Sequence, residues 1–591
     1  MDKPKDNFLG EPFHVWAELF SFSPDHEKRN RFFVFLIGVV LTPITLIGSL
    51  LGFAWVFKRL SRYLGNIPKF HPMRPVLRWG MIGGGILIWV ALYFLVTSIV
   101  NFFGYDVSSF SYVIIYLVIN ILFSFIVFAV FNSWVDDKHQ YEAAKSKFGS
   151  ARFANNHELE PFRKKNGIYI GDLHYRFSDR GHLFTCAGTR GGKGTNLIIP
   201  NLLGLGGYEG SWVVIDPKGE NAAITARYQR EQGQDVVLLN PWGLLSEYSG
   251  QARSFNPLDI LDINSADLVD DIQMISEMIV PVEQNNKNRY FSDNARTIVT
   301  AMLLHIVVNM DEEFRHLGTL YKVLRYSKEE TFAILGEMRF TKSEFHKELL
   351  DGSAQEVLKL MMSGGDSYGS IVATALQCTD FLKSSALQKS LQSDYVPSKL
   401  STGKSTIYVI IPADKLQSHA RWLRLVVTTT MRAVIRKPNK RVTFLLDEFA
   451  ALGYLPEIET ALSTYAGYNV TVWPILQSLI QLKNIYGDNW ETFIANAAIR
   501  HFFSINDNFS ANYVSSAIGV TTNVQKVGSW MVGTKYETTA RELATPDEVR
   551  RYSQRAIFAF LGNTPPSILG KYPYYEIPEL IQRADDNPYM N

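Results

Sequence analysis

Three long apolar segments, 32–57, 80–103 and 111–133, contain no charged residue, and nothing comparable follows them. Each is long enough to cross about 30 Å of hydrocarbon as a helix. Residues 1–135 therefore read as a membrane region. Pro43 and several glycines leave two options for the first segment, a full span or a kinked, re-entrant one. After residue 135 the pattern changes to short apolar runs of strand length, each bounded by turn residues. Such runs occur at 182–187, 211–216, 405–412, 441–446 and 469–476. From 265 to 397 the period changes again. Val269, Ile272, Ile275, Met278 and Ile279, then Ile298, Met302, Leu303 and Ile306, recur at helical spacing. The pattern predicts an α/β domain from 136–264 and 398–591, with an all-α domain inserted at 265–397.

Charge gives the membrane region an orientation. The loop between the first two segments carries Lys58, Arg59, Arg62, Lys69, Arg74 and Arg78 and no acid, so it faces the cytoplasm. The short stretch 104–110 then lies outside, and the chain returns to the cytoplasm at Trp134. Three full spans put the N-terminus outside, against the pull of Lys28, Arg29 and Arg31; a re-entrant first segment keeps it inside. That first segment is too long for the apolar core of a cleavable signal. With 591 residues the chain has room for more than one core beyond the membrane part. Two cysteines, Cys186 and Cys378, are too few for a disulfide framework or a Cys-rich zinc site. A formal net charge of +2 neither marks nor excludes a nucleic-acid binder.

The chemistry begins where the first strand run ends. Ala187, Gly188, Thr189, Arg190, Gly191, Gly192, Lys193, Gly194 and Thr195 form a glycine-rich turn between strand and helix. Such a turn gathers backbone N–H groups around an anion, the helix N-terminus adds partial positive charge, and Lys193 reaches the outer phosphates. A nucleoside triphosphate with Mg²⁺ fits this cradle. The loop departs from G-x-x-x-x-G-K-[ST] twice: Ala187 takes the first glycine's place, and Gly194 stands where a metal-ligating hydroxyl is usual. Thr195, one position later, is the nearest hydroxyl.

The run at 441–446 ends in Asp447 and Glu448. At the carboxyl end of a buried strand Asp447 is placed to hold Mg²⁺ and Glu448 to polarise the attacking water. The run at 469–476 ends in Gln477, able to hydrogen-bond water or a γ-phosphate. The run at 211–216 ends in Asp216, a competitor for the metal, but it begins barely a helix length after the loop and continues as an Asp-Pro turn. Asp216 and Lys218 are read as shaping the edge of the site. The interval between Lys193 and Asp447 far exceeds what a few βα units of roughly 30 residues need, which is the second reason to place an insertion there.

The order of these motifs resembles that of the VirD4/TraG family of type IV secretion coupling ATPases. The resemblance covers most of 149–577. It rests on Gly149-Ser-Ala-Arg-Phe153, the phosphate loop followed by Ile199-Pro-Asn-Leu-Leu203, and Asp216-Pro-Lys-Gly-Glu220. Leu239-Asn-Pro-Trp242, Ser254-Phe-Asn-Pro-Leu258, Leu446-Asp-Glu-Phe449 and Leu476-Gln-Ser478 complete it. It implies a RecA-like P-loop NTPase domain with an inserted all-α domain, preceded by a transmembrane region and assembled as a ring, commonly a hexamer, at the bacterial inner membrane. ATP then sits between subunits, Gln477 acts as the sensor, and a neighbour's arginine completes the site. Arg500 is the first candidate and Arg541 the second. The family recruits a relaxase-bound DNA strand for conjugation, or protein effectors, sometimes through adaptors, and passes them to the secretion channel. The third candidate span, the tiny outward loop and the short sequence after the core depart from the common pattern. Two alternatives stand beside it, a coupling ATPase for protein effectors alone and an FtsK-like DNA translocase. The latter expects a DNA-reading module for which little chain remains beyond Pro573. A membrane protease does not fit, because His157-Glu158 lacks the second histidine of H-E-x-x-H.

Overall fold

The computed structural model describes residues 140–281, 289–362, 366–527 and 535–589, with isolated positions between 94 and 118. The three apolar segments thus lie, apart from those positions, outside the described residues. Among the described residues no helix is long and apolar enough to cross a membrane. The chain divides into two units, one of 1–145 with 524–538, the other of 146–523 with 539–591. The second holds every candidate site residue.

Its frame is a nine-stranded sheet. In chain order the strands are β1 (His182–Ala187), β2 (Ser211–Asp216), β3 (Asp235–Leu239), β4 (Ser405–Ile410), β5 (Val442–Leu446), β6 (Val470–Leu476), β7 (Ala497–Phe503), β8 (Ala556–Leu561) and β9 (Ser567–Gly570). Across the sheet they run β9-β8-β7-β1-β6-β5-β2-β4-β3. The seven from β7 to β3 are parallel. At the other edge β8 and β9 form an antiparallel hairpin on β7. Parallel strands covered on both faces need apolar side chains in both directions, and β1, β2, β4, β5 and β6 are buried at every position. Their alternate residues feed two cores. Phe184 and Cys186 of β1 face one, and Leu183 and Ala187 face the other.

The helical stretch leaves the sheet after β3 and returns as β4, its parallel neighbour. An ordinary crossover helix is replaced here by a series that includes Leu268–Ile279, Arg289–Asn309, Leu317–Val323, Lys328–Arg339, Lys347–Met362 and Asp366–Cys378. Ile298, Met302, Leu303 and Ile306 are buried in the same continuous apolar core as Ile407 and Phe444 of the sheet. The stripe of the first helix starts at Leu268; Val269 is only half-buried.

The strand order adds one thing to the sequence pattern. β6 lies between β1 and β5, so the strand ending in Gln477, rather than the one ending in Asp447, flanks the phosphate-loop strand. All three end at the same edge of the sheet, and the site forms there.

Candidate functional site

The glycine-rich loop leaves β1 at the buried Ala187 and folds into a tight turn, with Gly191 N–H donating to the Gly188 carbonyl at 2.9 Å. A β-carbon on Gly188 would lie 2.1 Å from the Ser504 carbonyl oxygen, so no side chain fits there. Gly192 has φ +81° and Arg190 φ +60°; the first is the conformation that favours glycine. Gly194 differs: a β-carbon there meets nothing within 4 Å. Substitution separates the two positions. Gly188→Ala is expected to lower the thermal midpoint and abolish nucleotide binding, whereas Gly194→Ser keeps both near wild type. An unchanged Gly188→Ala protein in thermal melts would show that the loop is not held against Ser504.

Lys193 closes the loop. Its Nζ stands 2.7 Å from Asp447 Oδ1 and 3.4 Å from Glu448 Oε2. Burial alone disfavours the ammonium, but the two carboxylates outweigh it and the Lys193 pKa ends above its ordinary value. Gln477 ties the pieces together: its Nε2 donates to both Glu448 oxygens at 3.0 Å, and its Oε1 accepts from the Thr189 hydroxyl at 2.9 Å. The Gln477 backbone is fixed from behind, because its N–H donates to Gln481 Oε1 in the capping box that starts the helix Leu479–Tyr486. Glu448 itself has φ +59°, a left-handed conformation that costs a non-glycine residue about 1–3 kcal/mol and concentrates at functional sites.

The structure therefore brings together Thr189, Lys193, Asp447, Glu448 and Gln477. Thr195 lies in the first helical turn, its hydroxyl 3.3 Å from the Gly192 carbonyl and 3.0 Å from Asn196 Nδ2. Asn196, which sequence reasoning missed, also donates to the Gly192 carbonyl at 2.7 Å. A lone amide after a threonine carries no pattern that marks it beforehand. Lys571 was missed too: it lies far along the chain, yet its Nζ donates to the Gly191 carbonyl at 3.1 Å.

Asp216 is not part of the Lys193 cluster. It is buried, and its carboxylate accepts from the Ala222 N–H at 2.8 Å and from Asn221 Nδ2 at 3.4 Å, anchoring the start of the helix Glu220–Glu231. Lys218 is exposed, and its carbonyl accepts from Tyr589. Burial, opposed by the Ala222 N–H and reinforced by Asp447, pushes the Asp216 pKa up to about 7. A carboxyl whose folded pKa is raised holds a proton that the unfolded chain has lost. Its contribution to stability is complete below about pH 4 and is lost as pH rises to about 7, at roughly 1.4 kcal/mol per unit. Asp216→Asn is expected to lack that slope, so the difference between variant and wild-type stability changes by roughly 1.4 kcal/mol per unit across pH 4–7. Parallel stability curves over that window would show that Asp216 is ionised throughout.

The two arginines lie elsewhere. Arg500 sits within β7, half-buried, its guanidinium 5.2 Å from the Phe560 ring centre. Burial lowers its pKa. Arg541 is exposed and paired with Glu548. Among the described residues no group of three or more His, Cys, Asp or Glu side chains could hold a metal ion by itself.

A largely parallel sheet in which one strand runs into a glycine-rich loop and a lysine, with the next two strands on one side ending in an amide and then an acid, defines a P-loop nucleotide-binding protein. The chain belongs to the type IV secretory system conjugative DNA transfer family, whose model matches residues 138–590. It is 27% identical to the protein VirD4 of Rhizobium radiobacter over 67% of this chain and 57% of that one. With the type IV secretion system-coupling protein VirD4 of Bartonella quintana (strain Toulouse) the identity is 26%, covering 69% and 65%. The chain thus spans 57% and 65% of the length of these curated relatives. The fold is that of the bacterial conjugative coupling protein TrwB. The unbound form matches with a TM-score of 0.56 at 16% identity, covering 71% of this chain and 92% of that one. The complex with ADP and Mg²⁺ matches at 0.54 and 15%, covering 72% and 94%.

Proposed function

We propose that this chain is the coupling ATPase of a type IV secretion system, an inner-membrane motor that brings relaxase-bound DNA or protein effectors to the channel and drives their transfer by ATP hydrolysis. The observation that carries the reading is the chain of contacts Thr189–Gln477–Glu448–Lys193–Asp447 at one edge of the sheet. It joins the phosphate loop to two acids through an amide, so loss of a γ-phosphate at the loop has a direct path to Glu448. TrwB has been captured with an ATP analogue and with ADP and Mg²⁺, which supports the same guests here.

Lys193 and the loop amides without a protein acceptor, Gly192 among them, bind the β- and γ-phosphates, and Glu448 accepts the proton of the attacking water. The donor set suits Mg²⁺, which prefers one or two protein oxygens and completes its shell with phosphate and water. Asp447 and the Thr195 hydroxyl are those oxygens, and when bound the ion neutralises charge on the phosphates. In this reading subunits form a hexameric ring and each site takes an arginine from its neighbour. Arg541 offers an exposed guanidinium, while Arg500 must give up its contact with Phe560. The apolar segments 32–57, 80–103 and 111–133 anchor the ring, with the motor in the cytoplasm. The helices between β3 and β4 are the substrate-selecting part, meeting relaxase, effectors or adaptors.

The test is Mg²⁺-dependent ATP hydrolysis by the full-length protein, with and without single- and double-stranded DNA, using Lys193→Ala as the blank. Stimulation by DNA supports the conjugative motor. Activity indifferent to DNA moves the substrate to protein effectors alone. No hydrolysis above the blank would overturn the ATPase reading.

A further inference from the structure

Lys571 follows the edge strand β9 and is only 7% exposed. Its backbone N–H donates to the Arg555 carbonyl at 2.8 Å, so the β8–β9 hairpin fixes where the side chain starts. Its ammonium reaches the Gly191 carbonyl at 3.1 Å and stands 4.9 Å from the centre of the Phe503 ring. No carboxylate pairs with it among the described residues, and burial holds its pKa below the ordinary lysine value. A buried cation with only a carbonyl and a ring face is incompletely compensated. The missing anion has an obvious place, because the carbonyl it holds belongs to the phosphate loop.

The peptide between Gly191 and Gly192 is planar and trans, so its C=O and N–H point in opposite directions. The Gly192 N–H meets no protein acceptor among the described residues. On the other side the loop rests on Ser504, since a β-carbon at Gly191 would lie 2.9 Å from that of Ser504. The peptide is thus held between Ser504 and the ammonium.

We infer that Lys571 is a positioning residue for a nucleotide's phosphate chain. By holding the Gly191 carbonyl it aims the Gly192 N–H into the cradle and polarises it as a donor. The phosphates then supply the negative charge that the buried ammonium lacks. This rests on the nucleotide reading above and adds to it a second lysine, brought in from the β8–β9 hairpin at the edge of the sheet.

The test compares full-length wild type, Lys571→Gln, Lys571→Arg and Lys193→Ala for MgADP affinity, steady-state MgATP hydrolysis and thermal midpoint without nucleotide. Lys571→Gln keeps a donor for the carbonyl and loses the charge. Its Kd for MgADP and KM for MgATP are expected to rise roughly 10-fold, with kcat little changed. Lys571→Arg restores both, and the nucleotide-free midpoint of the Gln variant stays level or rises because an uncompensated charge is gone. Wild-type affinity in Lys571→Gln, where Lys193→Ala has lost binding, would overturn the role of Lys571 alone. So would a loss of affinity that tracks a lowered midpoint, since that is a plain structural anchor. Wild-type protein that binds no MgADP would sink the nucleotide reading and this role with it.

Discussion

Glu448→Gln is expected to lower single-turnover MgATP hydrolysis by roughly 10²–10⁴-fold, the range a positioned general base contributes, while leaving MgATP binding within a few-fold of wild type. The substitution preserves shape and removes the basic oxygen. Gln477 still finds an acceptor, because one carbonyl oxygen remains where two carboxylate oxygens now accept from its Nε2. Lys193 keeps its shorter contact, the one to Asp447 at 2.7 Å. The left-handed backbone at Glu448 costs glutamine and glutamate alike, so folding does not separate the variant from wild type. The variant therefore accumulates with ATP bound. Hydrolysis within threefold of wild type in a rapid-quench measurement would remove Glu448 from the reaction and leave Gln477 as a binding residue only.

How much of this was legible beforehand depends on the range over which each feature is determined. The runs ending at Ala187, Asp447 and Gln477 could be read because a buried parallel strand must be apolar in both directions, and a polar group at its end has few reasons to be there except the sheet edge. The loop could be read because Gly192 answers a local demand of the backbone, whereas the lack of space at Gly188 is set by the distant Ser504. The neighbour relations could not. That β6 separates β1 from β5 is a choice among strand orders that no single run encodes, and it is what lets Gln477 span from Thr189 to Glu448. Asp216 shows the same limit from the other side. Its strand ends like that of Asp447, and only the fold reveals that the Ala222 N–H and Asn221 take up its carboxylate. Lys571 and Asn196 reach the loop by contacts with no sequence period at all. Arg500 could be named beforehand only as a candidate to complete a neighbour's site, and the sheet adds that its guanidinium stands 5.2 Å from the Phe560 ring centre.

Lys193→Ala is expected to reduce MgATP turnover to background, a loss of at least roughly 10²–10³-fold as for removal of one preorganised donor to developing charge, and to weaken MgADP binding in parallel. The nucleotide-free protein carries a second signature. Lys193 holds both acids, and without it Asp447 and Glu448 face one another's charge across a partly buried site, with side chains 15% and 25% exposed. The alanine variant should therefore melt below wild type, and Asp447→Asn added to it should recover part of the loss. Residues in one ion-pair network do not contribute additively. The double variant remains inactive all the same, because neutralising Asp447 restores the charge balance without restoring a cation for the phosphates. Additive melting losses in the double variant would show that the contact at 2.7 Å is incidental to the nucleotide-free state. Recovered stability with recovered turnover would show instead that Lys193 acts only by neutralising the two acids, and that the phosphates are bound by the loop amides that Lys571 positions.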